Sequence, residues 1–149
     1  MGTPVQAQVL TLRAMEPEDI SDVMEIDRLS GGRRAITYQD QITFYLGGEL
    51  GLSYVAEMDG RVVGFLMGRI LERRYTPYVG AWVEILGVIP ELKHQGIGKR
   101  LLEAFLEGCR EKGVQDVHAA ASIRDTEVKP FLEKSGFKEG ELVHLHKRL

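Results

Sequence analysis

One cysteine, Cys109, stands in a chain of 149 residues. That count excludes an intrachain disulfide and a cysteine-built metal cluster, and it fits a reducing cytoplasm. Long apolar runs are also missing. The longest candidate, Val62-Val63-Gly64-Phe65-Leu66-Met67, falls far short of the ~20 residues a helix needs to cross a bilayer, so no membrane partner is expected. The net charge of −3 lacks the broad basic footprint of a nonspecific nucleic-acid binder, which leaves any phosphate site local and predicts no nucleic-acid partner. Met1 to Leu10 contains neither a basic stretch nor a long apolar one, and Gln6 stands where a myristoylation signal wants Ser or Thr. Repeats, low-complexity tracts and Pro/Ser-rich linkers are absent. Together these absences predict a cytoplasmic protein.

What is present suits one core: 44% of the residues are hydrophobic, 28% are charged, and 17 glycines punctuate periodic segments, which predicts a single domain over 1–149. Val9 to Arg13 is an extended run, after which Glu16-Pro17 opens a helix carrying Ile20, Val23 and Met24. A second helix is expected from Thr37, with Tyr38, Ile42, Tyr45 and Leu46 on one face, ending at Gly47-Gly48. Leu52 to Met58 and Arg61 to Ile70 flank Asp59-Gly60, the signal of a type I′ hairpin. Ala81 to Ile89 is a third strand pattern. Gly96 to Lys112 then forms a helix with a seam of Ile97, Leu101, Phe105 and Cys109, closed by Gly113.

Val114 to Ala121 reads as a further strand, so strand, helix and strand in series imply a parallel crossover. A shorter helix is expected from Asp125 or Thr126 to Ser135-Gly136. In that frame Pro130 falls in the helix interior, at a cost of about 3 kcal/mol unless the preceding turn is irregular or the true start lies later. Leu142 to Lys147 alternates like a last strand. The expected architecture is α/β, with a mixed central sheet, antiparallel in its N-terminal half, one parallel strand pair and about four helices.

The stretch from Val88 to Arg100 passes from a strand end through a Gly-containing turn into an amphipathic helix. Glycine lets backbone approach an anion, the open N–H groups of a first helical turn point at it, and Lys93, Lys99 and Arg100 add positive charge. A turn needing small residues beside merely solvated cations explains the same pattern. The stretch matches neither the dinucleotide fingerprint nor the P-loop, because the glycine spacing differs from both.

Lys93-His94-Gln95-Gly96-Ile97-Gly98 resembles the (Arg/Gln)-x-x-G-x-(Gly/Ala) signature of the GNAT superfamily of acyl-CoA-dependent N-acetyltransferases. The resemblance extends to Leu12-Arg13 before the Asp19-Ile20 helix, to the hairpin from Tyr54 to Gly64, and to Phe131-Leu132-Glu133-Lys134-Ser135-Gly136-Phe137. Lys93 keeps a cation where the family has Arg or Gln, without bidentate geometry toward phosphate. The resemblance implies acetyl-CoA as cosubstrate, no metal, and a primary amine of a small molecule, peptide or protein as acceptor. It implies a pantetheine arm beside Leu86, Gly87 and Val88, and a pyrophosphate held by the turn from Lys93 through His94, Gln95, Gly96, Ile97 and Gly98 to Lys99 and Arg100. Gly87 suits close approach of a ligand, or else a bulge or tight packing.

Several members of the family use a glutamate on this strand to take the ammonium proton, which points to Glu84. Pairing with Arg69 or Arg73 explains the same residue. His118, on the expected partner strand, has an imidazole suited to proton relay, or is simply packed. The family's usual tyrosine acid is replaced by Leu132, and its common helix-start Asn by Asp125, which can still cap the helix and touch the pantetheine. A thiol with pKa near ~8.5 leaves as thiolate without obligatory protonation, so the tyrosine is dispensable; Tyr75 or Tyr78 could replace it. Cys109, inside the helix seam, reads as core and not as nucleophile. His144 and His146 share a strand face but lack a third metal ligand. A noncatalytic acyl-CoA-binding regulatory module on the same fold is the alternative. Exposed sheet edges leave room for a homodimer.

Overall fold

The computed structural model describes residues 9–30, 51–71 and 80–149. The expected helix from Thr37 to Leu46 lies outside them, as do Arg73, Tyr75 and Tyr78. The described residues form two compact units, 1–119 and 120–149.

The first unit is built on a five-stranded sheet in the order β1 (Leu10–Ala14), β2 (Gly51–Met58), β3 (Arg61–Leu71), β4 (Gly80–Val88) and β5 (Val117–Ala119). The pairs β1–β2, β2–β3 and β3–β4 are antiparallel and β4–β5 is parallel, as the sequence predicts. Asp59 and Gly60 take φ of 52° and 75°, the two positive values that a type I′ turn requires. Helix α1 (Ile20–Leu29) follows a 3-10 turn at Pro17–Asp19, so the segment entered at Pro17 becomes a regular α-helix only at Ile20.

Helix α2 (Ile97–Glu111) buries the full seam of Ile97, Leu101, Phe105 and Cys109, joined by Leu102. It ends with Gly113 at φ 74°, where the N–H groups of Gly113 and Val114 close onto the carbonyls of Arg110 and Cys109. Three glycines let this helix come close to the sheet. A Cβ on Gly64 would press on Ile97 and Leu101, one on Gly68 would sit 2.2 Å from the Phe105 ring, and one on Gly108 would meet the Tyr54 hydroxyl at 2.0 Å.

Gly87 belongs to the opposite face, where its missing Cβ makes room for the Phe65 ring, its cross-strand partner, with Ile26 of α1 beside it. The sheet is therefore covered on both sides, which explains why β3 is buried without alternation from Val62 to Gly68.

β1 is tied to the start of α1 by charge. Arg13 holds Asp19 through two contacts, 2.7 and 2.8 Å, and reaches Glu57 of β2 at 3.0 Å, while the Glu16 N–H donates to Asp19 at 2.8 Å. The Arg13 hydrogen bonds, with that of Glu16, hold the Asp19 carboxyl below the usual carboxylate range against the opposing effect of burial.

The second unit contains α3 (Val128–Lys134). It starts later than Asp125 or Thr126 because Asp125 is spent as a cap: its Oδ1 accepts from the N–H groups of Glu127 and Val128 at 2.8 and 3.0 Å. The late start resolves the difficulty with Pro130. That residue falls in the first turn, where no intrahelical donor is required. Gly136, at φ 95°, closes the helix, with Phe137 N–H on the Leu132 carbonyl at 3.1 Å. Two strand expectations need correction. β5 covers only Val117–Ala119 of the span from Val114 to Ala121, because its ladder with β4 ends at Val83. Leu142 to Lys147 forms no strand: no ladder pairs it, and Leu142, Val143 and Leu145 are exposed.

Candidate active site

The ladder between β4 and β5 pairs Ala81 with Val117, Trp82 with His118 and Val83 with Ala119, and then stops. β4 continues for five more residues, to Val88, paired on its other side with β3. The two parallel strands thus part immediately before Glu84. On the β3 side the Ile89 N–H donates to Val63 at 2.9 Å, so strand alternation turns the backbone groups of Leu86 and Val88 toward the fork. The Val88 carbonyl lies 3.2 Å from the Ser30 hydroxyl at the end of α1, a neighbour that sequence patterning had no means of pairing with it.

A bulge sits at the same place. Met67 pairs with Ile85 but Gly68 pairs with Val83, which leaves Glu84 as the extra residue. Without the bulge Glu84 would pair with Gly68, under the Phe105 ring of α2. With it, the Glu84 carboxylate meets Arg69, Nε to Oε1 at 2.6 Å, on the face that also carries Trp82. His118 stacks on Trp82 across the ladder, with ring centroids 4.9 Å apart and planes inclined by 26°. Glu84 and His118, both singled out from sequence, therefore share one face at the opening of the fork. Trp82 joins them as a residue that sequence reasoning passed over. Its signal was position, two residues before Glu84 and opposite a histidine.

From Val88 the chain turns through Ile89 and a 3-10 turn at Pro90–Leu92 into α2. His94 holds a left-handed conformation, φ 64°, and Gly96 another, φ 85°. A Cβ on Gly96 would meet nothing within 4 Å, so glycine serves the backbone angle there and not the packing. Gly96 brings no side chain to cap the helix, the first turn contains no acidic residue, and the first intrahelical bond runs from Arg100 N–H to the Gly96 carbonyl. The helix start is thus a cluster of outward N–H donors with positive potential. His94, Gln95, Lys99 and Arg100 are exposed around it and Lys93 is half-buried. Gln95 reaches back weakly to the Glu91 carbonyl at 3.5 Å.

The donor set suits a diphosphate joined to a polar, extended arm. It has an anion cradle, a short turn, and then a strand edge that no described strand pairs, leading to a carboxylate. Among the described residues no group of three His, Cys, Asp or Glu side chains could hold a metal ion. Cys109 is buried on the packed face of α2, and burial pushes its thiol up to about 11. Leu132 is buried in α3 and offers no acid at the position where the resemblance expects tyrosine.

Residues 20–137 match the Acetyltransferase (GNAT) family. The chain belongs to this family. An N-alpha-acetyltransferase of Sulfurisphaera tokodaii is 30% identical over 93 aligned positions, with 58% of this chain and 56% of that protein covered. This GNAT chain therefore aligns with little more than half the length of that curated relative. Among solved structures, Ard1 from Thermoplasma volcanium superposes with a TM-score of 0.75 at 27% identity, covering 87% of this chain and 82% of that one. The aminoglycoside N-acetyltransferase AAC(6')-Iy, solved in complex with CoA, gives a TM-score of 0.81 at 19% identity, covering 98% and 99%. The last is a likeness of fold. None of the described helices is long and apolar enough to cross a membrane.

Proposed function

We propose that this GNAT chain catalyses direct transfer of an acetyl group from acetyl-CoA to a primary amine, as one domain over 1–149. The observation that carries the reading is the fork, in which β5 leaves β4 at Val83 while β4 runs on to the left-handed turn at Gly96. The backbone groups of Leu86 and the N–H of Val88 supply strand-like hydrogen bonds to the pantetheine amides, with Gly87 between them, while the Val88 carbonyl accepts from Ser30. The N–H groups of Ile97, Gly98 and Lys99 at the start of α2, with Arg100 and with Lys93, His94, Gln95 and Gly96 of the preceding turn, hold the pyrophosphate. Asp125 caps the start of its own helix, through the N–H groups of Glu127 and Val128.

The cosubstrate supplies a thioester whose acyl carbon accepts an amine lone pair as the C–S bond breaks and thiolate departs. Glu84 takes the proton that the acceptor ammonium must lose, directly or through a water, with His118 on the same face as the other candidate. Holding both reactants in one cleft supplies much of the rate. No covalent enzyme intermediate is required, in keeping with the buried, protonated Cys109. That one reduced cysteine also agrees with a cytoplasmic location.

Two of the relatives named above are an N-alpha-acetyltransferase and an aminoglycoside N-acetyltransferase, and this fork offers the same reaction to an amine of either kind, from small molecule to protein. A second reading, a noncatalytic acyl-CoA-binding module, draws on the buried Leu132 in place of the family's tyrosine. Release of CoA from acetyl-CoA, measured with an unblocked peptide, kanamycin and spermidine, separates the two. Catalysis predicts release with at least one amine and acetylated product by mass; acetyl-CoA binding without release from any favours the second.

A further inference from the structure

Arg69 and Glu84 meet only because of the bulge. In an unbroken ladder Glu84 would lie opposite Gly68, on the face occupied by Phe105. The inserted residue moves it to the face of Arg69 and Trp82, at the point where β5 departs. There Arg69 Nε contacts Glu84 Oε1 at 2.6 Å, engaging one carboxylate oxygen by name. The side chains are 42% and 22% exposed, so the pair is too wet to be explained by a large gain in stability. What it does is directional. A glutamate on a bulge has lost its place in the ladder and has three rotatable side-chain bonds, and a guanidinium carried by paired β3 holds one of its carboxylate oxygens.

We propose that Arg69 is a positioning residue for acyl transfer: it tethers Glu84 through Oε1 and leaves the rest of the carboxylate to the incoming ammonium. The inference rests on the reading of Glu84 as the proton acceptor. It assigns to Arg69 no contact with acetyl-CoA and no step of its own, since Arg69 stays protonated throughout.

Four variants test it, Arg69→Met, Arg69→Lys, Glu84→Gln and the double Arg69→Met/Glu84→Gln, assayed for CoA release with acetyl-CoA and the unblocked peptide, kanamycin and spermidine. A misplaced base predicts a fall in kcat of about tenfold or more for Arg69→Met, with KM for acetyl-CoA within about twofold, and partial recovery in Arg69→Lys. In the Glu84→Gln background the same Arg69→Met change costs less than about twofold, because no base remains to be misplaced. Wild-type kcat in Arg69→Met alongside a slow Glu84→Gln overturns the positioning role and spares the base. Equal losses in both backgrounds also overturn it, since Arg69 then acts independently of Glu84. A Glu84→Gln enzyme as fast as wild type removes the base reading itself, and this inference with it. So does an absence of release by the wild type with all three amines. If Arg69→Met fails to fold, Arg69→Gln takes its place in the cycle.

Discussion

In the proposed reaction the chemistry turns on Glu84, a bulge residue whose carboxylate meets Arg69. Replacing it with Gln keeps the shape and removes the proton acceptor. Glu84→Gln is therefore expected to lower kcat by about a hundredfold, with unchanged acetyl-CoA affinity by calorimetry. Cys109 makes the opposite case. Its thiol is buried and raised to about 11, so it is neither exposed nor ionised near neutral pH. Cys109→Ala is expected to keep most of the activity while costing about 1 kcal/mol of stability from the small cavity, read from denaturant unfolding. Loss of turnover in a folded, acetyl-CoA-binding Cys109→Ala protein would contradict direct transfer. Asp19 sets a pH limit on the fold. Its folded-state pKa lies below the unfolded value of about 3.9, so the stability it contributes is complete above that pH and is lost as pH falls through the lower, folded value. The gap in melting temperature between wild type and Asp19→Asn is expected to be level from pH 7 to 5 and to close below pH ~4.

At the scale of elements, the joint between α2 and the sheet depends on glycine placement. Gly108 lies inside a helix, where Ala is intrinsically better by about 1 kcal/mol, yet Tyr54 occupies the space an added Cβ needs. Gly108→Ala is thus expected to lower the melting temperature instead of raising it, with Gly68→Ala the more damaging of the two because Phe105 lies over that site. The hairpin at Asp59-Gly60, the α2 seam and the Gly96 turn were all legible in the sequence, because local backbone angles or helical spacing decide each one. The bulge at Glu84 was not. A bulge is a relation between two strands, and nothing in Trp82-Val83-Glu84-Ile85 says which residue of β3 will be skipped. The early end of β5 was hidden for the same reason, since its length is fixed by where β4 departs and not by its own alanines. Pro130 was a local warning that pointed correctly to a later helix start, and Asp125, by capping at a distance of two and three residues, moved the boundary.

Across the whole molecule, the sheet brings together chemistry that is scattered along the chain. Arg69, Glu84 and His118 come from three strands, and the anion turn follows directly from the strand that carries Glu84. Antiparallel pairing fixes β4 from one side, and the parallel partner opens the other. The cleft is therefore part of the topology and not an addition to it. On the proposed function, the residues from Glu84 to Arg100 serve both ends of a long cosubstrate within one short stretch of sequence.

The central claim is that this fork takes acetyl-CoA, and thermal unfolding with and without it, with ATP and NAD as controls, tests that claim most directly. At ~100 times its dissociation constant a ligand of the folded state adds about 2.7 kcal/mol, which for a chain of this size raises the melting temperature by about 5–10 °C. The account predicts such a rise with acetyl-CoA and none with NAD. No rise at millimolar acetyl-CoA, or an equal rise with ATP and NAD, would contradict it.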